Sequence, residues 1–334
     1  MVFGRRRSGG RGGADGAIAL GTIIVTGSAG FIGSHLVKAL GARGDRVVGV
    51  DNFDPFYDAA LKRANAREAG DHELVEADIC DEGAMRTLFE RVRPEGVIHL
   101  AAKAGVRPSL RDPAGYARTN VLGTQVLLDA AARAGCARFV MASSSSVYGN
   151  NRKTPFSEED PVDAPISPYA ATKKSCELIG HAHHAITKMP TACLRFFTVY
   201  GPRQRPDLAI ALFMRKIARG EEIDVFGDGS MSRDFTFIGD IIRGVVAAYD
   251  RVDRHGYRVW NLGSDRPVRL DAMIAAIAAT VGKEPVIRVK PMQPGDVDRT
   301  WADLTRARAE LGYQPTMPFE RGLAEQWAAF GRGA

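Results

Sequence analysis

The chain has 334 residues, 45% hydrophobic and 25% charged, a balance that excludes a disordered or fibrous chain and suits one large α/β domain or two packed lobes. Its apolar runs, such as Met273 to Val281, fall far short of the roughly 20 residues of a membrane-spanning helix, so no membrane partner is expected. Net charge is +6, but the four arginines and one aspartate of residues 1–16 carry +3 of it, which leaves a nearly balanced body and no expectation of nucleic-acid binding.

Residues 1–18 read as a disordered basic Gly/Arg-rich tail without the apolar core of a secretory signal. From Gly21 onward, short β-branched runs alternate with longer amphipathic stretches, the pattern of a parallel sheet covered by helices on both faces. Strands are expected at Thr22 to Thr26, Arg46 to Val50, Glu73 to Glu76, Gly96 to Leu100 and Arg138 to Ala142, with helices at Ile32 to Ala42 and Asn120 to Ala134. Pro- and Gly-rich loops follow at Asn150 to Pro168 and Gly201 to Pro206, the second marking an exit from the sheet into a smaller lobe. The chain is expected back in the sheet domain over about 235–262, then in the small lobe to a final helix near Phe319 to Phe330. The fold class is therefore α/β, a Rossmann-type doubly wound parallel sheet over 19–198 plus about 235–262, with a smaller mixed α/β lobe over about 199–234 plus 263–331.

The first strand runs into Gly27-Ser28-Ala29-Gly30-Phe31-Ile32-Gly33 and then a helix. Glycines permit the tight turn and let backbone N–H groups approach a pyrophosphate at the helix N-terminus. The second strand ends at Asp51, followed by Asn52; an acid there accepts hydrogen bonds from an adenosine ribose and repels a 2′-phosphate, which favours NAD over NADP. Asp78 and Ile79 end the third strand, where the acid is placed to reach adenine, and Leu100-Ala101-Ala102 end the fourth with small residues beside which a cofactor fits. At successive strand ends these residues describe a dinucleotide crevice.

Tyr169 and Lys173 lie four apart on a helix begun by Ser167-Pro168, so both side chains face one way. A Lys ammonium beside a phenol favours the phenolate, making the pair a general base. Ser144, in the Ser143 to Ser146 run after the fifth strand, supplies a hydroxyl that can orient a substrate alcohol. Cys80, Cys136, Cys176 and Cys193 are too scattered for a disulfide framework or metal site, and read as free thiols of a reducing, cytoplasmic compartment. The spacing of His181, His183 and His184 is that of a surface helix, so no metal is expected.

The glycine loop with Ser144, Tyr169 and Lys173 resembles an extended short-chain dehydrogenase/reductase over about residues 21 to 330. Leu194 to Asp207 (LRFFTVYGPRQRPD), Phe226 to Gly229, Ser232 to Phe235 and Thr300 to Asp303 are similar to the corresponding motifs of UDP-glucuronate 4-epimerases. The resemblance implies an isomerase with NAD as cofactor and a UDP-sugar as substrate. In it Tyr169 takes the sugar 4-OH proton, Ser144 polarises the C4 oxygen, Lys173 also holds the nicotinamide ribose, and Asn120 and Lys103 support the nucleotide site. It further implies Arg233 and Arg205 for the pyrophosphate or sugar acid, Val225 and Phe226 beside the uracil, and Asp296 at the uridine ribose. Ser145, Ser146, Thr198, Arg205 and Arg107 are candidates to hold the sugar carboxylate. Related dehydratases carry an acidic pair after the catalytic hydroxyl and related decarboxylases a Glu two positions on; Ser145 and Ser146 stand here instead. A neutral-sugar epimerase and a catalytically idle NAD-binding sensor remain alternatives, and the family implies a homodimer formed through two helices.

Overall fold

The computed structural model describes residues 21–291 and 297–330. Seven strands, β1 (Thr22–Thr26), β2 (Arg46–Asp51), β3 (Glu73–Glu76), β4 (Gly96–His99), β5 (Arg138–Ser144), β6 (Thr191–Phe196) and, later in the chain, β10 (Tyr257–Leu262), form one parallel sheet in the order β3-β2-β1-β4-β5-β6-β10. The strands are nearly continuous in apolar residues because both faces are covered. Ile23 and Val25 of β1 pack with Leu36 and Leu40 of the Phe31–Arg43 helix and Ile241 and Val245 of the Ile238–Arg251 helix. Ile24, pointing the other way, packs with Met85 and Leu88 of the Glu82–Val92 helix and Leu127 and Leu128 of the Gly123–Arg133 helix. Among the described residues, no helix is long and apolar enough to cross a membrane.

A second sheet contains β7 (Thr198–Tyr200), β9 (Ser232–Phe237) and β11 (Pro267–Arg269), and a ribbon pairs β8 (Glu222–Phe226) with β12 (Val286–Lys290). The chain thus leaves the main sheet after Phe196 rather than near Gly201, because β7 pairs with β9. The return expected at Phe235 begins instead with the Ile238–Arg251 helix, since β9 stays in the second sheet. The reason lies in Asp234, fully buried on β9, whose carboxylate accepts bonds from the Ser264, Asp265 and Ala302 backbone and from the Ser264 hydroxyl. Two expected ends also move. The helix placed at Asn120 is preceded by a turn capped by Asp112 with Pro113 at its start, then a wide π-helical turn over Ala117–Leu122, and β5 runs on to Ser144. The tail at 1–18 lies outside the described residues.

Strand order reverses between β1 and β4, where an open α/β sheet leaves a crevice at the carboxyl ends of its strands. Gly27, Asp51, Leu100, Ser144 and Phe197 all stand at that edge, and the Pro168–Thr187 helix brings Tyr169 to it.

Candidate active site

Beyond β1 the chain turns at Gly27 with φ +69°, its N–H donating to Val50 O at 2.7 Å. A side chain at Gly27 would stand 2.7 Å from the Ala101 nitrogen, and one at Gly33 would stand 1.9 Å from the Gly27 carbonyl oxygen. The glycines therefore let the loop lie against the β4 end and the helix start at once. Gly27, Gly30, Phe31, Ile32 and Gly33 line the resulting cleft, which places the N-terminus of the Phe31–Arg43 helix at its edge.

Asp51 forms the adjoining wall. Its Oδ2 accepts from Ala29 N–H at 3.1 Å and its Oδ1 from Phe53 N–H at 2.9 Å, which fixes the carboxylate's orientation. Burial raises its pKa, while these two bonds and Lys62 act in the opposite direction. Asn52, Ile79, Leu100, Ala101, Ala102 and Lys103 complete this end of the cleft. Asp78 is not among the lining residues; its carboxylate accepts from Cys80 N–H in a turn. Asn120 is buried beneath the cleft, bonded to both backbone groups of Lys103 and to Thr172 Oγ1, so it ties the loop after β4 to the Pro168–Thr187 helix.

At the other end stand Ser144, Tyr169 and Lys173. Ser167 caps the helix through Ala170 N–H at 3.2 Å with Pro168 in the first turn, and Lys173 Nζ donates to Ala142 O at 2.9 Å. Ser144 Oγ accepts from Ser146 N–H at 3.1 Å, which leaves its own O–H to donate to a substrate oxygen. Tyr116 packs edge-on against Tyr169 with ring centroids 6.1 Å apart. Ser145, Ser146, Thr198 and Arg205 line the same cleft, whose lining acids are Asp51 at the end of β2 and Asp54 in the loop after it.

Four substrate-side candidates stand off this cleft. Arg107 stacks on the Phe226 ring at 4.8 Å, Arg233 Nη1 donates to Ser232 O at 3.0 Å, and Val225 is buried in β8, lining a second cavity against the Leu270–Val281 helix. Asp296 lies outside the described residues.

Residue-by-residue reading missed Asp54, Phe56 and Tyr57, which line the cleft from the loop after β2, and Lys62, which lines it from the Ala59–Glu68 helix. Their signal was the polar and aromatic run directly following Asp51-Asn52. It also missed His99 under the cleft floor, bonded to Thr26 and Thr124 Oγ1 at 2.7 and 3.1 Å, with a pKa lowered to about 3 by burial and by Lys173.

The model of the GDP-mannose 4,6 dehydratase family matches residues 24–326. A probable UDP-glucuronate 4-epimerase of Rhizobium meliloti is 40% identical over 321 residues, covering 90% of this chain and 94% of its own. The UDP-glucuronic acid 4-epimerase of Bacillus cereus, solved with UDP-glucuronic acid and NAD, superposes with a TM-score of 0.86 at 36% identity over 93% of this chain and 99% of its own. The UDP-glucose 4-epimerase of Thermotoga maritima, solved with UDP-glucose, gives 0.84 at 36% identity over 93% and 99%.

Proposed function

The chain belongs to the GDP-mannose 4,6-dehydratase family of extended short-chain dehydrogenases/reductases, and from that premise we propose that it is an NAD-dependent UDP-glucuronate 4-epimerase, forming UDP-galacturonate. The observation that carries the reading is one cleft lined by Ser144, Tyr169 and Lys173 together with the hydroxyls of Ser145, Ser146 and Thr198 and the guanidinium of Arg205, where neither position after Ser144 is a carboxylate.

The glycine loop would hold the NAD pyrophosphate, Asp51 the adenosine ribose and Lys173 the nicotinamide ribose; the crowding that a side chain would create at Gly27 and Gly33 fits such a cradle. When bound, NAD supplies a reversible acceptor for the hydrogen on C4. Tyr169 takes the 4-OH proton and later returns it, Lys173 stabilises the phenolate by its charge, and Ser144 donates to the C4 oxygen. The 4-keto sugar then presents its other face. For a uronic acid this intermediate is a β-keto acid, which loses carbon dioxide once the carboxylate bond aligns with the carbonyl π-system. Neutral hydroxyl donors and Arg205 hold the carboxylate charged and out of that alignment.

Purified protein incubated with UDP-glucuronate, UDP-glucose and UDP-xylose, with products separated, tests this reading. UDP-galacturonate with little 4-keto pentose is the expected result, and Ser146→Ala or Thr198→Ala should weaken sugar-acid binding and release decarboxylated product. A preference for UDP-glucose overturns the reading in favour of the neutral-sugar epimerase, and inertness toward all three in favour of the idle sensor.

Two companions of this reading concern the whole protein. We infer a homodimer joined through the Gly123–Arg133 and Pro168–Thr187 helices, beside which Leu122 and Leu178 are 47% and 58% exposed. We also infer a cytoplasmic location, in keeping with four cysteines that are all free thiols.

A further inference from the structure

Arg205 stands where the loop leaving β2 meets the GPRQRPD segment. That loop starts at Asp51 and is stiffened by successive side-chain-to-backbone bonds: Phe53 N–H to Asp51 Oδ1 at 2.9 Å, Asp54 N–H to Asn52 Oδ1 at 3.0 Å, and Phe56 N–H to Asp54 Oδ1 at 2.9 Å. It delivers the Phe56 ring against the face of the Arg205 guanidinium, 4.9 Å from centroid to Cζ. Along one edge of the same guanidinium, Nε and Nη2 donate to the two carboxylate oxygens of Asp207 at 3.0 and 2.6 Å.

One face and one edge are thereby fixed, and among the described residues Nη1 makes no hydrogen bond. The other cleft-lining cations are ammonium groups, which direct no planar fork. Lys173 is bonded to Ala142 O, Lys103 pairs with Asp112, and Lys62 donates to Asp54 O above the Tyr57 ring. Tyr57, pushed up to about 12 by burial and by Asp51, remains a neutral phenol beside them. Arg205 is the one guanidinium among these cleft-lining cations, a planar fork held on one face and one edge, and it lines the cleft together with Thr198, Ser145 and Ser146.

A guanidinium carries five donors in one plane, so a bidentate partner on one edge orients the opposite edge. An aromatic face limits rotation of that plane. A pre-oriented fork gains a charge-assisted bond from a sugar carboxylate and nothing comparable from a hydroxymethyl group, and it loses little side-chain freedom on binding. We propose that Phe56 and Asp207 are specificity-determining positioning residues that hold Arg205 ready for a sugar carboxylate, so that the loop carrying the ribose acid also sets the preference for UDP-glucuronate over neutral UDP-hexoses. The inference rests on the epimerase reading above.

The test measures dissociation constants of UDP-glucuronate and UDP-glucose by calorimetry on NAD-loaded protein in a Tyr169→Phe background, which prevents turnover. Phe56→Leu keeps apolar volume without the aromatic face, and Asp207→Asn keeps shape without the charge. Each should weaken UDP-glucuronate about tenfold, the scale of one lost charge-assisted contact, while UDP-glucose stays within about twofold. A parallel loss for both sugars, or no change in their ratio, overturns the inference, as does loss of NAD from either variant, since the loop would then act on the cofactor instead. These outcomes leave conversion of UDP-glucuronate by the unmodified protein intact; absence of that conversion sinks the epimerase reading itself.

Discussion

Tyr169 and Lys173 were readable as a pair because four residues of helix bring two side chains to one face, and Ser167-Pro168 announced where that helix begins. Replacing Tyr169 by Phe should lower turnover by at least about 10²-fold while NAD is retained, because only the proton-transfer group is removed. Progress curves with UDP-glucuronate and NAD released on denaturation check the two halves; near-normal turnover removes Tyr169 from the mechanism. His35 illustrates what one residue's surroundings add. Burial first, and the Arg203 charge second, lower its pKa from 6.5 to about 4. The unfolded chain therefore binds a proton on this group more readily than the folded one between those values, so its contribution to stability is present above pH 6.5 and is lost as pH falls toward 4. Unfolding midpoints across that window should drop with acid, and His35→Gln should flatten the slope; an unchanged slope refutes the assignment.

At the scale of elements, the glycine loop and its helix depend on Gly33. A methyl group there meets the Gly27 carbonyl oxygen at 1.9 Å, so Gly33→Ala must push the loop off the helix start. Overpacking of this kind costs about 1–3 kcal/mol, and here it distorts the loop proposed to cradle the pyrophosphate as well. The expected outcome is protein purified with much less NAD than wild type; full NAD content contradicts it. The catalytic helix has a second anchor that no short motif announced. Glu177, buried one turn beyond Lys173, accepts from Arg195 Nε and Nη2, each at 2.9 Å, and from Ser143 Oγ at 2.7 Å. Arg195 also donates to the Tyr148 hydroxyl at 2.9 Å, and Tyr148 to Asn261 Oδ1 at 2.7 Å. This network ties the Tyr169 helix to the β5 end that carries Ser144 and to β6 and β10. Glu177→Ala strands a buried guanidinium and should cost about 3–5 kcal/mol in urea unfolding, with the double replacement Glu177→Leu/Arg195→Met recovering part of the loss. A loss under about 1 kcal/mol would show the pair to be dispensable.

For the molecule as a whole, the proposed homodimer would use the Gly123–Arg133 and Pro168–Thr187 helices. Leu178 and Ile186 of the Pro168–Thr187 helix are 58% and 81% exposed, apolar residues that a second copy can cover. Leu178→Asp should convert a dimer into a monomer in sedimentation velocity, and a wild type that already sediments as a monomer refutes the assembly. The same helix carries Tyr169, so the association would brace the catalytic base from outside while Glu177 braces it from within.

What the sequence determined alone was the local part of this protein. Alternating strands and helices, the glycine turn, the acid ending β2 and the Tyr-Lys helix follow from period, backbone freedom and four-residue spacing, all of which act over a few residues. The order of strands in the main sheet, the capture of β7 by β9 and the meeting of Phe56 with Arg205 join segments well separated in the chain. Only the tertiary structure decided them, because pairing, burial and desolvation of such groups depend on which surfaces the fold brings together and not on neighbours in sequence.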